Sequence, residues 1–73
     1  MDYEKFSNDA VLYHDATSLE RCMAHYTNGL SLTKDYSYIV FNFKTKINIL
    51  EKQVNIRPED VLIIPNGINI SIS

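Results

Sequence analysis

The sequence has few of the residues that cross-link a small domain or mark its turns, with one cysteine, two glycines and two prolines among 73 residues. It contains no tryptophan. A lone cysteine, Cys22, cannot form an internal disulfide, which argues against a stapled secreted scaffold and predicts a reducing, cytoplasmic setting. No basic segment followed by an apolar stretch opens the chain, so we expect no signal peptide. No apolar run approaches the roughly 20 residues of a transmembrane helix, so we expect no membrane partner.

The sequence also lacks a large net charge, because it has nine acidic and seven basic residues. Acidic side chains outnumber basic ones in residues 1–35, and basic ones are slightly in excess in residues 36–73. Neither half has the basic patch of a nucleic-acid-binding protein or the acidic run of a DNA mimic. We therefore expect no direct contact with nucleic acid. A DNA-binding regulator would have to rely on Lys44, Lys46, Lys52 and Arg57.

Apolar residues are plentiful at 45% of the chain, which is typical of a folding sequence and not of a disordered one. At this length we expect one domain spanning residues 1–73, which would bury only roughly 60% of the surface of its unfolded chain. Self-association stabilises such small domains, so we expect a homodimer. Five tyrosines and three phenylalanines are more than a small core hides, and aromatic side chains are enriched where proteins meet.

The C-terminal segment has the clearest local pattern. An apolar run from Val61 to Ile64 is followed by Pro65-Asn66-Gly67 and then by strict alternation of apolar and polar residues. Because Asn-Gly favours a tight turn, we predict a strand or hairpin over residues 61–72. The preceding Pro58-Glu59-Asp60 is typical of a single helical first turn.

The middle segment, residues 30–57, contains no proline or glycine and supports two periodicities. Alternation from Ile39 to Ile49, rich in β-branched and aromatic residues, favours a strand. A helical stripe favours a helix capped by Ser31, and a strand of some twenty residues is rarer than a helix of that length. We therefore predict an α+β fold with a small antiparallel sheet packed against a main helix at about residues 31–55, either continuous or broken near Thr45. The stripe consists of Leu32, Tyr36, Ile39, Val40, Phe43, Ile47, Leu50 and Val54.

The first segment leaves two alternatives open. Thr17-Ser18-Leu19-Glu20 is a capping box, and the residues after it form one helical face that would stop at Asn28-Gly29. That face consists of Leu19, Cys22, Met23 and Tyr26. Alternatively, residues 10–14 and 22–26 form two antiparallel strands of a hairpin.

Residues able to do chemistry are scarce. Cys22-x-x-His25 offers two metal ligands, and His14 with Asp15 would have to complete the four of a closed zinc site. Neither a P-loop nor a G-x-G-x-x-G motif is present, and no group orients a Cys–His nucleophile. We therefore expect no metal, no cofactor and no catalysis, and interpret the chain as a protein that binds another protein.

The passage Tyr26-Thr27-Asn28-Gly29-Leu30-Ser31-Leu32-Thr33-Lys34-Asp35-Tyr36 resembles a known family. It is similar to the Gly-Leu-Ser-Leu-Ser-Asp-aromatic passage of the small dimeric uracil-DNA glycosylase inhibitors made by short-tailed Bacillus phages. The resemblance implies a hairpin over residues 10–26, a helix starting at Ser31 and a last strand entered through Pro58-Glu59-Asp60. The abundance of Ile, Asn, Lys and Tyr fits a low-GC bacterium or its phage.

The same resemblance implies a mechanism. Two protomers would pair their helices around an apolar cleft that takes up the leucine which the host glycosylase wedges into DNA, so that the phage evades a host defence. The partner-binding residues would be Ser31, Asp35 and Tyr36, and helical spacing adds Ile39 and Val40, one turn further on, as wall residues of the cleft. The alternative is a small homo-oligomeric interaction or regulatory protein with another partner.

Overall fold

The computed structural model describes residues 2–7, 9–14, 18–27 and 36–72. Within them it has two small antiparallel sheets and one short helix, which confirms the α+β class. No helix in this part of the chain is long and apolar enough to cross a bilayer. The elements in chain order are β1 (Tyr3–Lys5), β2 (Val11–Tyr13), α1 (Leu19–Thr27), β3 (Tyr36–Val40), β4 (Thr45–Ile49), β5 (Lys52–Ile56), β6 (Val61–Pro65) and β7 (Ile70–Ile72).

The larger sheet has four strands in the order β1-β2-β6-β3, and every neighbouring pair is antiparallel. Strand β6 is central, and its residues from Val61 to Ile64 are all buried. An uninterrupted apolar run is what a strand covered on both faces requires. The apolar run at residues 61–64 is therefore suited to the middle of the sheet. Strand β3 is one of the two edges.

The smaller sheet has the order β5-β4-β7 and covers one face of the larger sheet. Its apolar residues alternate with outward-facing polar residues such as Lys46 and Asn48, as in a half-buried antiparallel sheet. The core between the two sheets consists of Ala10, Leu12, Phe41, Ile47, Ile49, Val54, Ile56, Leu62 and Ile64.

Helix α1 packs on the opposite face of the larger sheet, against Val11, Tyr13, Val61 and Ile63. The N–H of Arg21 donates to the Ser18 hydroxyl (3.1 Å), so Ser18 is the N-cap. The helical alternative for this segment is the correct one. The hairpin alternative is wrong, because residues 22–26 are helical and β2 pairs instead with β1 and β6. The residues that α1 turns toward the sheet are Leu19, Cys22, Met23 and Tyr26.

The predicted main helix at residues 31–55 is wrong over residues 36–55, which form β3, β4 and most of β5; residues 31–35 lie outside the described residues. Strands β4 and β5 are joined through Leu50 and Glu51, with φ values of 49° and 65°. Two consecutive positive φ values make a tight hairpin turn whose usual residues are Asn and Gly. Because neither residue stands there, no local signal predicts the turn.

The predicted strand at the start of residues 61–72 is confirmed as β6, but residues 61–72 do not form a hairpin, because β7 belongs to the other sheet. The turn at Asn66-Gly67 carries the chain between the sheets, and Gly67 has a φ of 95°. The predicted helical turn at residues 58–60 is also wrong. Glu59 has a φ of 73° after Pro58, and the N–H of Asp60 donates to the Arg57 carbonyl, as in a type II turn.

Candidate functional site

A groove of about 480 Å³ opens where the first turn of α1, the end of β3 and the turn at residues 58–59 meet. We call it the β3 groove. Its apolar walls come from three separate elements, and its polar groups are few. Its lining residues are Ser18, Leu19, Val40, Phe41, Asn42, Pro58, Glu59 and Val61.

Two local structures position these walls. The Ser18 cap fixes where α1 begins and thereby places Leu19, which is half-buried against the sheet. At the end of β3, the N–H of Phe41 donates to the Asp60 carbonyl (2.9 Å) and the N–H of Glu59 donates to the Phe41 carbonyl (2.9 Å). Two residues of one segment therefore oppose Phe41, which is a β-bulge, and such bulges often re-aim side chains beside sites.

Asp60 lies between groove residues in the chain, and its carboxylate is fully buried. One oxygen, Oδ2, accepts the N–H of Arg57 (2.9 Å) and lies 3.1 Å from Nδ1 of His14. The other oxygen, Oδ1, is buried with no hydrogen-bond partner among the described residues. The pair ties the end of β2 to the turn before β6 and so holds the base of the groove.

The histidine–carboxylate pair is the strongest chemical cluster in the described residues, but its geometry suits structure better than catalysis. His14 is 7% exposed. Its Nδ1 faces Asp60, and its Nε2 lies 3.5 Å from Oε1 of Glu4. A general base must reach its substrate within hydrogen-bond distance. Both ring nitrogens of His14 instead face carboxylates of the protein itself.

The residues considered for zinc are placed in different surroundings. Cys22 lies on the face of α1 that packs against the larger sheet, and burial raises the pKa of its thiol. His25 Nδ1 lies 3.1 Å from the Tyr13 hydroxyl, while His14 faces Asp60. Asp15 lies outside the described residues. Within the part of the chain that the structure describes, no three or more potential ligands form a metal-binding group.

Tyrosine chemistry is likewise suppressed beneath the helix. Burial, followed by the charges of Cys22 and Tyr3, raises the pKa of Tyr13 to about 12. Burial and the neighbouring Tyr36 raise the pKa of Tyr26 as well. Neutral phenols at these positions act as hydrogen-bonding and packing groups.

The predicted partner-binding residues do not form one cleft. Ser31 and Asp35 lie outside the described residues. Tyr36 and Val40 share a face of β3, but the Tyr36 ring packs on Tyr26 with centroids 5.8 Å apart. Ile39 points to the opposite face and packs against the core between the sheets. Of the five, Val40 lies in the β3 groove and is 54% exposed.

The other residues that line the β3 groove are not among the predicted partner-binding residues. Leu19 was recognised as part of a helical face, but its neighbour across the groove, Phe41, was interpreted as the off-stripe side of a helix. A correct strand assignment for residues 36–40 would have placed Val40 and Ile39 on opposite faces of the sheet by simple alternation. The bulge opposite Phe41 depends on the positive φ of Glu59, to which no local signal pointed.

A scan against protein-family models and searches among curated proteins and solved structures find no match to this chain. The glycosylase-inhibitor resemblance therefore stays a prediction. Its key passage, residues 26–36, falls mostly on residues 28–35, which lie outside the described ranges.

Proposed function

We propose that this protein is a non-catalytic inhibitor that binds another protein by accepting an apolar side chain in the β3 groove. The observation that carries the proposal is the exposure of Val40, which lies among Leu19, Phe41 and Val61 in a concave apolar surface. A concave apolar surface with a few polar groups is the usual form of a binding site. The polar groups here are Ser18, Asn42 and Glu59.

Binding fits this groove better than catalysis. Glu59 is the ionisable residue among its lining groups, and the Ser18 hydroxyl already accepts the N–H of Arg21. An acid–base mechanism needs paired groups with access to substrate. The groove offers shape and apolar contact instead, which are the means by which a protein captures a protruding side chain.

The partner that we propose is a bacterial uracil-DNA glycosylase, and the groove would hold the leucine that this enzyme wedges into DNA. This identity rests on the resemblance in residues 26–36. The mechanism needs revision, because residues 36–55 are strands and cannot supply a pair of long helices. In the revised form, strand β3 and the first turn of α1 provide the apolar walls.

The test is a uracil-excision assay in which purified bacterial glycosylase cleaves a uracil-containing oligonucleotide while this protein is titrated in. We expect stoichiometric loss of cleavage without any mobility shift of the DNA by this protein alone. Undiminished cleavage at large excess would overturn the glycosylase as partner and leave the second candidate, a homo-oligomeric interaction or regulatory protein.

A matched pair of variants tests the groove itself. Val40→Asp places a charge in the apolar groove and should weaken inhibition at least about tenfold, because an unpaired charge buried at an interface is costly. Leu50→Asp makes a similar apolar-to-acidic change at an exposed site in the β4–β5 turn and should inhibit like the wild type. Equal inhibition by both variants would exclude the β3 groove as the contact. Circular dichroism checks that both remain folded.

Tyr36, another of the predicted partner-binding residues, is less suitable for this test. Its ring supports Tyr26, whose hydroxyl donates to the Asp9 carbonyl (2.5 Å). Tyr36→Ala would therefore disturb the packing of α1 as well as any contact with a partner.

A further inference from the structure

The exposed edges of the two sheets are protected to different degrees. Strand β1 has three residues and carries Glu4 and Lys5, β5 begins with Lys52, and β7 has only three residues. Strand β3 has five residues, Tyr36–Val40, and contains neither a charge nor a proline. Short length, charge and proline are the features that stop strand edges from pairing with other chains. The edge of β3 lacks all three.

The hydrogen bonds at Phe41 show which backbone groups of β3 face outward. Both the N–H and the C=O of Phe41 bond toward the segment that leads into β6. Because successive residues of a strand turn their backbone groups to opposite sides, Ile39 and Ser37 also face β6. The backbone groups of Tyr36, Tyr38 and Val40 therefore face away from the sheet, where no described strand pairs with them.

We infer that this edge pairs with β3 of a second copy, antiparallel and centred on Tyr38, to make one continuous sheet across a two-fold axis. In this register Tyr38 of one copy lies opposite Tyr38 of the other, and Tyr36 of each copy lies opposite Val40 of the other. Each outward N–H then meets an outward C=O of the other strand, as in a hydrogen-bonded antiparallel pair. On the face that carries Tyr36, Tyr38 and Val40, reversal of the strand places these residues opposite one another. Ser37 lies opposite Ile39 on the other face, and no like charges meet.

This pairing would place a second copy beside each β3 groove, and its role in inhibition rests on the proposed function. The two-fold axis runs perpendicular to the sheet, so both α1 helices lie on the same side with the paired β3 strands between them. Tyr36 of the second copy lies beside Val40, so the second copy contributes a wall to each β3 groove. Tyr38 is 51% exposed in the isolated chain and becomes covered at the centre of the pair.

The first experiment is sedimentation equilibrium of the protein alone over a wide concentration range. We expect a dimer that dissociates on dilution. Tyr38→Lys should raise the dissociation constant at least about tenfold, because two lysines then face each other across the strands. Ile72→Lys changes a residue that is 62% exposed on the β7 edge and should leave the dimer intact. A monomer at all concentrations, or equal weakening by both variants, would overturn the inference.

The second experiment locates the contact by amide hydrogen exchange. The outward amides of Tyr36, Tyr38 and Val40 should exchange slowly in the dimer and fast on dilution, while the inward amide of Ile39 should be protected in both states. A dimer in which the Tyr38 amide stays unprotected would place the interface elsewhere. Dimerisation through Tyr38 without glycosylase inhibition would refute the proposed function alone. Inhibition by a wild-type protein that stays monomeric would refute this inference alone. Full inhibition by a monomeric Tyr38→Lys variant would refute the contribution of the second copy to the β3 groove.

Discussion

The two faces of the four-stranded sheet are covered to different extents. Toward the smaller sheet, Leu12 and Leu62 are fully buried. Toward α1, Ile63 is fully buried beneath the helix, but Tyr38 and Val40 on the neighbouring strand are about half exposed. The same β-sheet is therefore sealed on one side and partly open on the other.

The difference follows from the widths of the covering elements. A helix is roughly 10 Å wide, and strands lie roughly 4.8 Å apart, so one helix covers about two strands. Helix α1 covers β2 and β6 and contacts β3 at Tyr36, which leaves Tyr38 and Val40 of β3 open. A three-stranded sheet on the other side is wide enough to leave no such strip. In this small fold, the uncovered strip is where the proposed contacts with other proteins lie.

Breaking the sealed face should have the largest effect. Ile47 is fully buried between the two sheets, and Ile47→Ala should lower the free energy of unfolding by about 2–5 kcal/mol through lost burial and the cavity left behind. In the monomer, Tyr38→Ala on the open strip should cost less than about 1 kcal/mol. Urea denaturation followed by circular dichroism measures both. Equal losses would contradict the difference between the faces.

The buried pair at the end of the sheet should have the next largest effect. Asp60→Ala leaves His14 and the N–H of Arg57 without their acceptor and should cost about 1–3 kcal/mol. Asp60→Asn retains an oxygen acceptor and should cost less. The comparison is again made by urea denaturation. An alanine variant as stable as the asparagine variant would show that these hydrogen bonds contribute little.

Alkaline pH should weaken the helix-covered face. The pKa of Tyr13 is raised to about 12 in the folded protein from an ordinary value near 10. Between these values the unfolded chain releases the phenol proton while the folded chain keeps it, so stability falls as the pH rises, by about 1–2 kcal/mol. Tyr13→Phe should flatten this part of the profile. An unchanged slope in that variant would assign the loss to other groups.

The smallest effect concerns the turn of the covering sheet. Glu51→Gly should stabilise the protein by about 1 kcal/mol, because glycine adopts the positive φ without strain. Gly67→Ala makes the reverse change at a φ of 95°, where an added Cβ would meet nothing within 4 Å. It should destabilise the protein by strain alone. Thermal unfolding measures the change in stability of each variant. A change of the same sign in both variants would contradict the prediction.

The correctly predicted parts of the fold were those with complete local signals. The capping box favoured α1 as one of the two alternatives for its segment, and the spacing of Leu19, Cys22, Met23 and Tyr26 indicated the face that this helix buries. The apolar run at residues 61–64 predicted the central strand. The α+β class is confirmed, but its prediction relied on a main helix at about residues 31–55, and residues 36–55 form strands instead.

The main error arose where a turn carried no turn residues. With Leu50 and Glu51 in place of Asn and Gly, residues 36–56 seemed uninterrupted, and the argument from length favoured one helix over strands. The alternation from Ile39 to Ile49 was the correct signal for the elements. It could not reveal that the segment breaks after Val40 and again after Ile49.

The site was less predictable than the elements because its residues meet only through the fold. His14 and Asp60 are 46 positions apart and approach because Tyr13 and Val61 are partners in adjoining strands. Val40 was selected as a binding residue on helical spacing, and it lines the β3 groove because of strand alternation. Local sequence patterns carry no information on which strands become neighbours.

The two-residue turn between β4 and β5 has a consequence for the order of folding. Closing this hairpin is a local event, and it brings Val40 and Val61, which flank the hairpin in the chain, closer together before they pair. Long-range pairing of β3 with β6 then requires a much shorter effective loop. A turn variant such as Glu51→Gly should therefore speed refolding and leave the unfolding rate nearly unchanged in stopped-flow kinetics. A small strained turn would thus set the rate at which the whole larger sheet assembles.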